Sequence, residues 1–147
     1  MKYLFIFIFP VLLFNSCKKA KINSDLIGSW KLVRMYNETN GTFVSPPTYA
    51  NRYAGITFQS NGKFYGNTLY NGITDGLFAL EGTNNLNFIQ FSSTKVDEDE
   101  WGRNFTEVLL SCYLQSVFPC IQPTYIINGN QLTIYSVTAY DLVFEKE

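Results

Sequence analysis

Three short turn signals, each between segments rich in apolar and β-branched residues, constrain the fold of this chain more than any other feature. The turns lie at 60–62, 82–85 and 128–130 and each contains Asn and Gly, the residues that tight hairpins favour. Each turn therefore predicts a β-hairpin. The predicted strands are 30–35, 56–59, 63–66, 77–80, 86–91, 124–127, 131–135 and 142–144. Short strands in series predict a mainly-β domain, either a small antiparallel β-barrel or a strongly curved sheet.

One segment breaks this strand pattern and predicts a single principal helix before the last strands. Between residues 97 and 115, apolar side chains recur at helical spacing, at Phe105, Val108, Leu109, Cys112 and Tyr113. The acidic run at 97–100 suits the positive N-terminal end of a helix. We expect the helix to begin after this run and to end before Pro119. Residues 37–53 are predicted to form a long loop between the first two strands.

The beginning of the chain indicates export. An apolar run of 12 residues, 3–14, follows Met1-Lys2. A membrane-spanning helix needs about 20 apolar residues, so this run fits the apolar region of a signal peptide instead. The run ends in Phe14-Asn15-Ser16-Cys17, which resembles the lipobox of bacterial lipoproteins. The alternative is an ordinary secretory signal with a free cysteine nearby.

The resemblance to lipoproteins implies that the chain consists of three parts. Residues 1–16 are the signal peptide, residues 17–25 are the lipid anchor on Cys17 and a tether, and residues 26–147 are a single domain. Lys18 and Lys19 directly follow the cysteine and suit anionic headgroups. Surface-exported lipoproteins often carry acidic residues at these positions. We therefore expect a lipid-anchored protein of the outer membrane that faces the periplasm, with the membrane as its partner.

The cysteines also predict a disulfide. The chain has three cysteines, and lipidation of Cys17 leaves Cys112 and Cys120 in an oxidising compartment, where pairing is expected. The bridge would join the end of the helix to the strand that begins near Thr124. The alternative is two separate buried thiols.

The composition argues against catalysis. The chain has no histidine, which removes the usual general base and the commonest metal ligand. It also lacks a basic stripe, which argues against binding of nucleic acid. The sequence therefore predicts neither an enzyme nor a cofactor or metal site.

Two sets of residues, one acidic and one aromatic, each allow two interpretations. The run Asp97-Glu98-Asp99-Glu100 lacks the spacing of an EF-hand loop and is predicted to be a solvated helix entry, with a cation site as the alternative. Tyr36, Tyr49 and Tyr53 surround Pro46-Pro47. They are predicted to pack over one end of the sheet, with a binding mouth as the alternative.

The order of strands, one helix and final strands resembles the META domain family, the HslJ-like small proteins of bacterial envelopes. The residues that carry the resemblance are 26–32, 56–58, Asn61-Gly62-Lys63-Phe64, Gly66, Thr94-Lys95, Glu107 and 125–134. The two cysteines usual in that family, one after the second hairpin and one after the Thr-Lys pair, are absent here. The resemblance implies a structural or interaction role in the envelope, associated with envelope stress and antibiotic tolerance.

A second resemblance is to lipocalin-like lipoproteins, which also open with Gly-x-Trp, here Gly28-Ser29-Trp30. It implies a module that binds a small apolar ligand inside the barrel. The inward-facing set is predicted to include Trp30, Phe58, Phe64, Phe88 and Ile134. Side chains of this size would fill a small barrel, which favours the interaction role.

Overall fold

The computed structural model describes residues 22–49, 51–115 and 119–147. Nine antiparallel strands in these ranges form one sheet. The strands are β1 (Gly28–Asn37), β2 (Thr42–Val44), β3 (Gly55–Phe58), β4 (Lys63–Asn67), β5 (Gly72–Glu81), β6 (Asn85–Ser93), β7 (Thr124–Asn128), β8 (Gln131–Tyr135) and β9 (Tyr140–Lys146). The helices α1 (Glu100–Leu109) and α2 (Ser111–Leu114) connect β6 to β7, and a 3-10 turn (Ser24–Leu26) precedes β1.

The sheet curves strongly enough to return to its first strand. Its order is β2-β1-β3-β4-β5-β6-β7-β8-β9, and β1 also pairs with β9. The junction between β6 and β7 is narrow, because the two strands share only the pair Asn85↔Thr124. The predicted mainly-β fold with one principal helix before the last strands is therefore confirmed.

All three predicted hairpins form. The first turn joins β3 to β4 with Phe58 opposite Phe64. The last joins β7 to β8 with Asn128 opposite Gln131. Gly62 and Gly129 have φ of 82° and 59°, a region that glycine enters without steric cost.

The segment 37–53, predicted as a long loop between the first two strands, contains a short strand that the sequence did not predict. The short strand β2 lies within it and pairs with the end of β1. The turn between them uses the chemistry of the other hairpins, since the Asn37 side chain accepts the Thr39 N–H at 2.9 Å and Gly41 has φ of 71°. The pair Asn40-Gly41 is a turn signal, but the three residues of β2 are too few to show an alternating pattern.

The helix begins one residue earlier than predicted, at Glu100, inside the acidic run. Its buried face contains Phe105 and Val108, and the Phe105 ring meets the Phe144 ring of β9 with centroids 6.0 Å apart. A break at Leu110 separates α1 from the four residues of α2. Neither helix in the described ranges has the length and apolar character needed to cross a membrane.

Aromatic and aliphatic side chains fill the inner face of the sheet. The Phe58 ring lies 5.0 Å from Phe78, and the Phe64 ring lies 5.3 Å from Phe88. The five side chains predicted to point inward are all buried: Trp30, Phe58, Phe64, Phe88 and Ile134. Burial of each contributes on the order of 1.5–3 kcal/mol, so this cluster is a main source of stability.

Candidate functional site

A cleft with mixed aromatic and polar lining lies where residues 44–49 meet the start of α1. We call it the loop–helix cleft. Its volume is about 230 Å³, which is smaller than the roughly 300–1,000 Å³ of most pockets for drug-sized ligands. The lining includes Pro47, Tyr49, Glu100, Trp101, Asn104 and Tyr140.

Asp99 connects the two sides of the loop–helix cleft. Its Oδ1 accepts the Gly102 N–H at 2.8 Å and so caps α1, as an N-cap carboxylate is expected to do. Its Oδ2 accepts the Tyr49 hydroxyl at 2.7 Å. This hydrogen bond, followed by desolvation and the charge of Asp99, raises the pKa of Tyr49 to about 12. The Tyr49 side chain is nevertheless 63% exposed.

The two tryptophans differ in how their indole N–H groups are satisfied. Trp30 is fully buried, and its Nε1 donates to the Leu26 carbonyl at 2.8 Å. Trp101 is only 4% exposed, but its buried Nε1 has no acceptor among the described residues. A buried donor without a partner costs about 1–3 kcal/mol. Trp101 is thus the unsatisfied polar group of the cleft lining.

A second polar cluster, which we call the Glu98 network, consists of Thr68, Asn71 and Glu98. Glu98 Oε2 accepts from the Thr68 hydroxyl and from Asn71 Nδ2 at 2.8 Å. Thr68 and Asn71 are 1% and 6% exposed. The network therefore joins the connection between β4 and β5 to the segment that leads into α1.

Asn71 is the centre of the Glu98 network. Its Nδ2 also donates to the Val96 carbonyl at 2.9 Å, and its Oδ1 accepts from Val96 N at 2.8 Å and from the Thr94 hydroxyl at 3.0 Å. In contrast, Glu98 Oε1 is buried and has no partner among the described residues. A side chain at position 102 would collide with the Glu98 carboxyl group. Gly102 therefore allows this carboxylate to lie against the first turn of α1.

The four residues of the acidic run 97–100 therefore have different roles. Glu98 joins the network, Asp99 caps the helix, and Asp97 and Glu100 are exposed. Within the described ranges, no three acidic, Cys or His side chains come together as a metal site would require. A cleft of about 330 Å³ beside the network is lined by Asp97, Glu98, Lys95 and Arg103 among others, so its charges are mixed.

The closure of β1 on β9 brings a carboxylate pair together. Asp141 is 4% exposed, and its Oδ1 accepts the Ser136 N–H at 2.8 Å. Burial is the main cause that raises the pKa of Asp141 to about 6, and a hydrogen bond with the Glu38 carboxyl adds to it, while the bond from Ser136 opposes it. Asp141 is adjacent in sequence to Tyr140 of the loop–helix cleft.

The three tyrosines near the Pro46-Pro47 segment do not share one site. Tyr49 lines the loop–helix cleft. Tyr36 packs on Phe43 with ring centroids 5.1 Å apart, and Lys31 Nζ lies 4.9 Å from the centre of the Tyr53 ring.

The sulfur atoms of Cys112 and Cys120 lie 1.99 Å apart, with their Cα atoms 5.2 Å apart. This is the pairing that the sequence predicts. The side chain of Gln115 reinforces the same connection, because it accepts the Ile121 N–H at 2.8 Å and donates to the Ile121 carbonyl at 2.7 Å. Cys17 and the whole predicted signal peptide lie outside the described residues.

A cleft of about 520 Å³ lies between β6 and the two helices. Its lining includes Phe88, Phe91, Leu109 and Tyr113, and Tyr113 is 85% exposed. Beyond Asn85, the edge of β6 in the described ranges has no register partner in β7. This cleft therefore has a largely apolar lining and lies at an open strand edge.

Sequence reasoning missed the Glu98 network and the Asp141–Glu38 pair. No local pattern marks Thr68, Asn71 or Asp141 as buried polar residues. The one available signal was the sequence Thr68-Leu69-Tyr70-Asn71, in which a Ser/Thr side chain precedes a turn. The Thr68 Oγ1 does accept the Asn71 N–H at 2.8 Å.

Two solved structures resemble this chain in fold only. An NMR structure of a protein from Burkholderia xenovorans has a TM-score of 0.57 at 18% identity, and the match covers 82% of this chain and 81% of that chain. A crystal structure of a DUF4847 family protein from Bacteroides vulgatus has a TM-score of 0.54 at 18% identity, and the match covers 82% of this chain and 92% of that chain. No family model matches the sequence, and no curated protein matches it significantly.

Proposed function

We propose that this chain is a bacterial envelope lipoprotein with a structural or interaction role, and that it acts through its outer surface. The packed inner face of the sheet carries this proposal. Storage of an apolar ligand, the lipocalin-like alternative, would need space where the aromatic cluster lies.

Rings in direct contact occupy the centre of that inner face. Phe58 and Phe64 are each 1% exposed, and their ring centroids lie 6.3 Å apart. Such separations are typical of aromatic pairs in direct contact. The loop–helix cleft and the cleft beside β6 are lined in part by exposed residues, Tyr49 and Tyr113. These surface clefts therefore suit the proposed interaction role.

The cysteine pair supports an extracytoplasmic location. Disulfides persist in the periplasm and outside the cell, and thiols stay reduced in the cytosol of most bacteria. The bonding distance between Cys112 and Cys120 is therefore in line with the export signal in the sequence. We propose that Cys17 carries lipid and that the domain faces the periplasm from the outer membrane.

The proposed family is META-like, with a role in envelope stress, and it rests on the sequence resemblance. The proposal includes no catalytic reaction, because the chain has no histidine and the carboxylates of Glu98 and Asp141 accept structural hydrogen bonds. It includes no nucleic-acid partner, since the formal net charge is −1.

The anchor is tested by membrane fractionation together with mass spectrometry of the mature N-terminus. We expect the wild-type chain to begin at a lipid-modified Cys17 and to sediment with outer membranes. Cys17→Ser should release the protein from the membrane, because acyl chains supply the anchoring free energy. The double variant Cys112→Ser/Cys120→Ser is the matched control and should remain membrane-bound. An unmodified Cys17 in a soluble mature protein would contradict the proposal.

A further inference from the structure

The loop–helix cleft combines two kinds of surface. Its lining includes the ring-bearing residues Tyr49, Tyr140 and Pro47 and the acidic residues Asp99 and Glu100. Tyr49 is 63% exposed, whereas Tyr140 is partly buried against the core. A ligand that fits both surfaces needs an apolar face to stack on a ring and hydroxyl or amine donors to reach the carboxylates.

Trp101 restricts the ligand further. Its buried indole N–H has no acceptor among the described residues, and an indole N–H can only donate. A ligand group that satisfies it must therefore accept a hydrogen bond. A cationic amine cannot do this, and an anion would be repelled by Asp99 and Glu100.

A hydroxyl group both donates and accepts, so a neutral ring that carries several hydroxyls and has an apolar face meets these requirements. We propose that the loop–helix cleft binds a neutral sugar ring, with its C–H face on Tyr49, one hydroxyl oxygen accepting from Trp101 Nε1 and other hydroxyls donating to Asp99 and Glu100. The cleft volume of about 230 Å³ suits one ring of a glycan. Because the Trp101 indole nitrogen is covered in the free protein, binding in this way requires a local rearrangement of the cleft that uncovers it.

The two tryptophans provide an internal comparison in one experiment. The chain has only two tryptophans, so a ¹⁵N-labelled sample gives two indole N–H signals. The full chain is purified in a detergent without a sugar headgroup and titrated with the methyl glycosides of glucose, galactose, mannose and N-acetylglucosamine. A site with a Kd of about 1 mM is nearly saturated at about 10 mM ligand. We expect at least one glycoside to shift the Trp101 signal and to leave the Trp30 signal unchanged, since Trp30 Nε1 already has Leu26 as acceptor.

Two matched tyrosine variants test the location of binding. Tyr49→Ala removes the exposed ring of the cleft, and we expect the Kd to rise by about tenfold or more, because stacking and apolar contact are lost. Tyr65→Ala removes a ring on β4 that is 48% exposed and lies outside the cleft lining, and it should leave the Kd unchanged. Both substitutions are at exposed positions, so both variants should fold.

Several outcomes would overturn the proposal. One is the absence of any Trp101 shift with all four glycosides. Another is equal shifts of both tryptophan signals, and a third is a Kd that Tyr49→Ala leaves unchanged. Methyl glucuronide and glucosamine provide the charged comparison at neutral pH, and tighter binding of either one than of methyl glucoside would assign the cleft to a charged ligand instead. Because the titration reads the cleft directly, its result is independent of lipidation at Cys17.

Discussion

The inner face of the sheet and the region around the start of α1 are built from opposite kinds of contact. On the inner face, Phe58 and Phe64 pack ring against ring. Around α1, Thr68, Asn71 and Glu98 are held by hydrogen bonds, and two buried polar atoms, Glu98 Oε1 and Trp101 Nε1, have no partner in the described ranges. A third such atom, on Gln122, lies elsewhere in the chain. Unsatisfied polar groups reduce stability, so the presence of two of them around the start of α1 distinguishes this region from the inner face that stabilises the fold.

The largest expected loss of stability comes from a change in the aromatic cluster on the inner face of the sheet. Phe58→Ala should lower the free energy of unfolding by about 3–5 kcal/mol, because it removes a buried ring and leaves a cavity. Urea denaturation measures the loss. Tyr65→Ala on the neighbouring strand is the control and should cost far less, since its ring is half exposed. Equal losses for the two variants would mean that the inner cluster is not the main apolar core.

Removal of the disulfide tests a contribution to stability that comes neither from the aromatic packing nor from the Glu98 network. Cys112 and Cys120 are separated by 8 positions, and closing so short a loop should stabilise the folded chain by somewhat less than about 3 kcal/mol through the unfolded state. The double variant Cys112→Ser/Cys120→Ser should therefore lose about 2 kcal/mol in urea denaturation. Reduction of the wild-type protein should give the same midpoint as the variant. A midpoint unchanged by both treatments would contradict the prediction.

The next prediction concerns the stability that the Glu98 network contributes. Asn71→Ala should cost about 1–3 kcal/mol, because it removes the hydrogen bonds that the buried Asn71 amide makes to Glu98 Oε2 and to the Val96 backbone. The change should also increase hydrogen exchange at the Val96 amide, which NMR reads residue by residue. Asn87→Ala is the control, because the Asn87 side chain makes an exposed bond to Glu81 at 3.2 Å. Equal stability of the Asn71 and Asn87 variants would show that the Glu98 network is not a structural support.

These two regions also differ in how far the sequence predicts them. The hairpins follow from local chemistry, since Gly62 and Gly129 sit at turns that require positive φ and the flanking residues alternate. The helix follows from the spacing of its apolar residues. The Cys112–Cys120 pair follows from the even number of cysteines that remains once Cys17 is assigned to lipid. The Glu98 network does not, because Asn71 and Glu98 are 27 positions apart and meet only after β5 and β6 have paired. The Asp141–Glu38 pair likewise depends on the closure of β1 on β9.

The last expected effect has the opposite sign, a gain of stability on substitution, and is at Asp141. Its pKa is raised from 3.8 to about 6 in the folded protein, first by burial. Between these two values the folded state holds a proton that the unfolded state has lost. Stability from this group is therefore complete below about pH 4, falls as the pH rises and is lost above about pH 6.

Asp141→Asn replaces the carboxyl group by a neutral amide that still accepts the Ser136 N–H. We expect the variant to be more stable than the wild type by about 1–3 kcal/mol at pH 7.5, since one pKa unit corresponds to about 1.4 kcal/mol. The advantage should disappear near pH 4, where Asp141 is protonated in the wild type. Urea denaturation of both proteins from pH 4 to 7.5 measures this difference. Asp97→Asn removes an exposed carboxylate and should give a smaller gain at pH 7.5. If the wild-type and Asp141→Asn curves stay parallel over this range, Asp141 is not the group that limits stability at neutral pH, and the closure of β1 on β9 tolerates its charge.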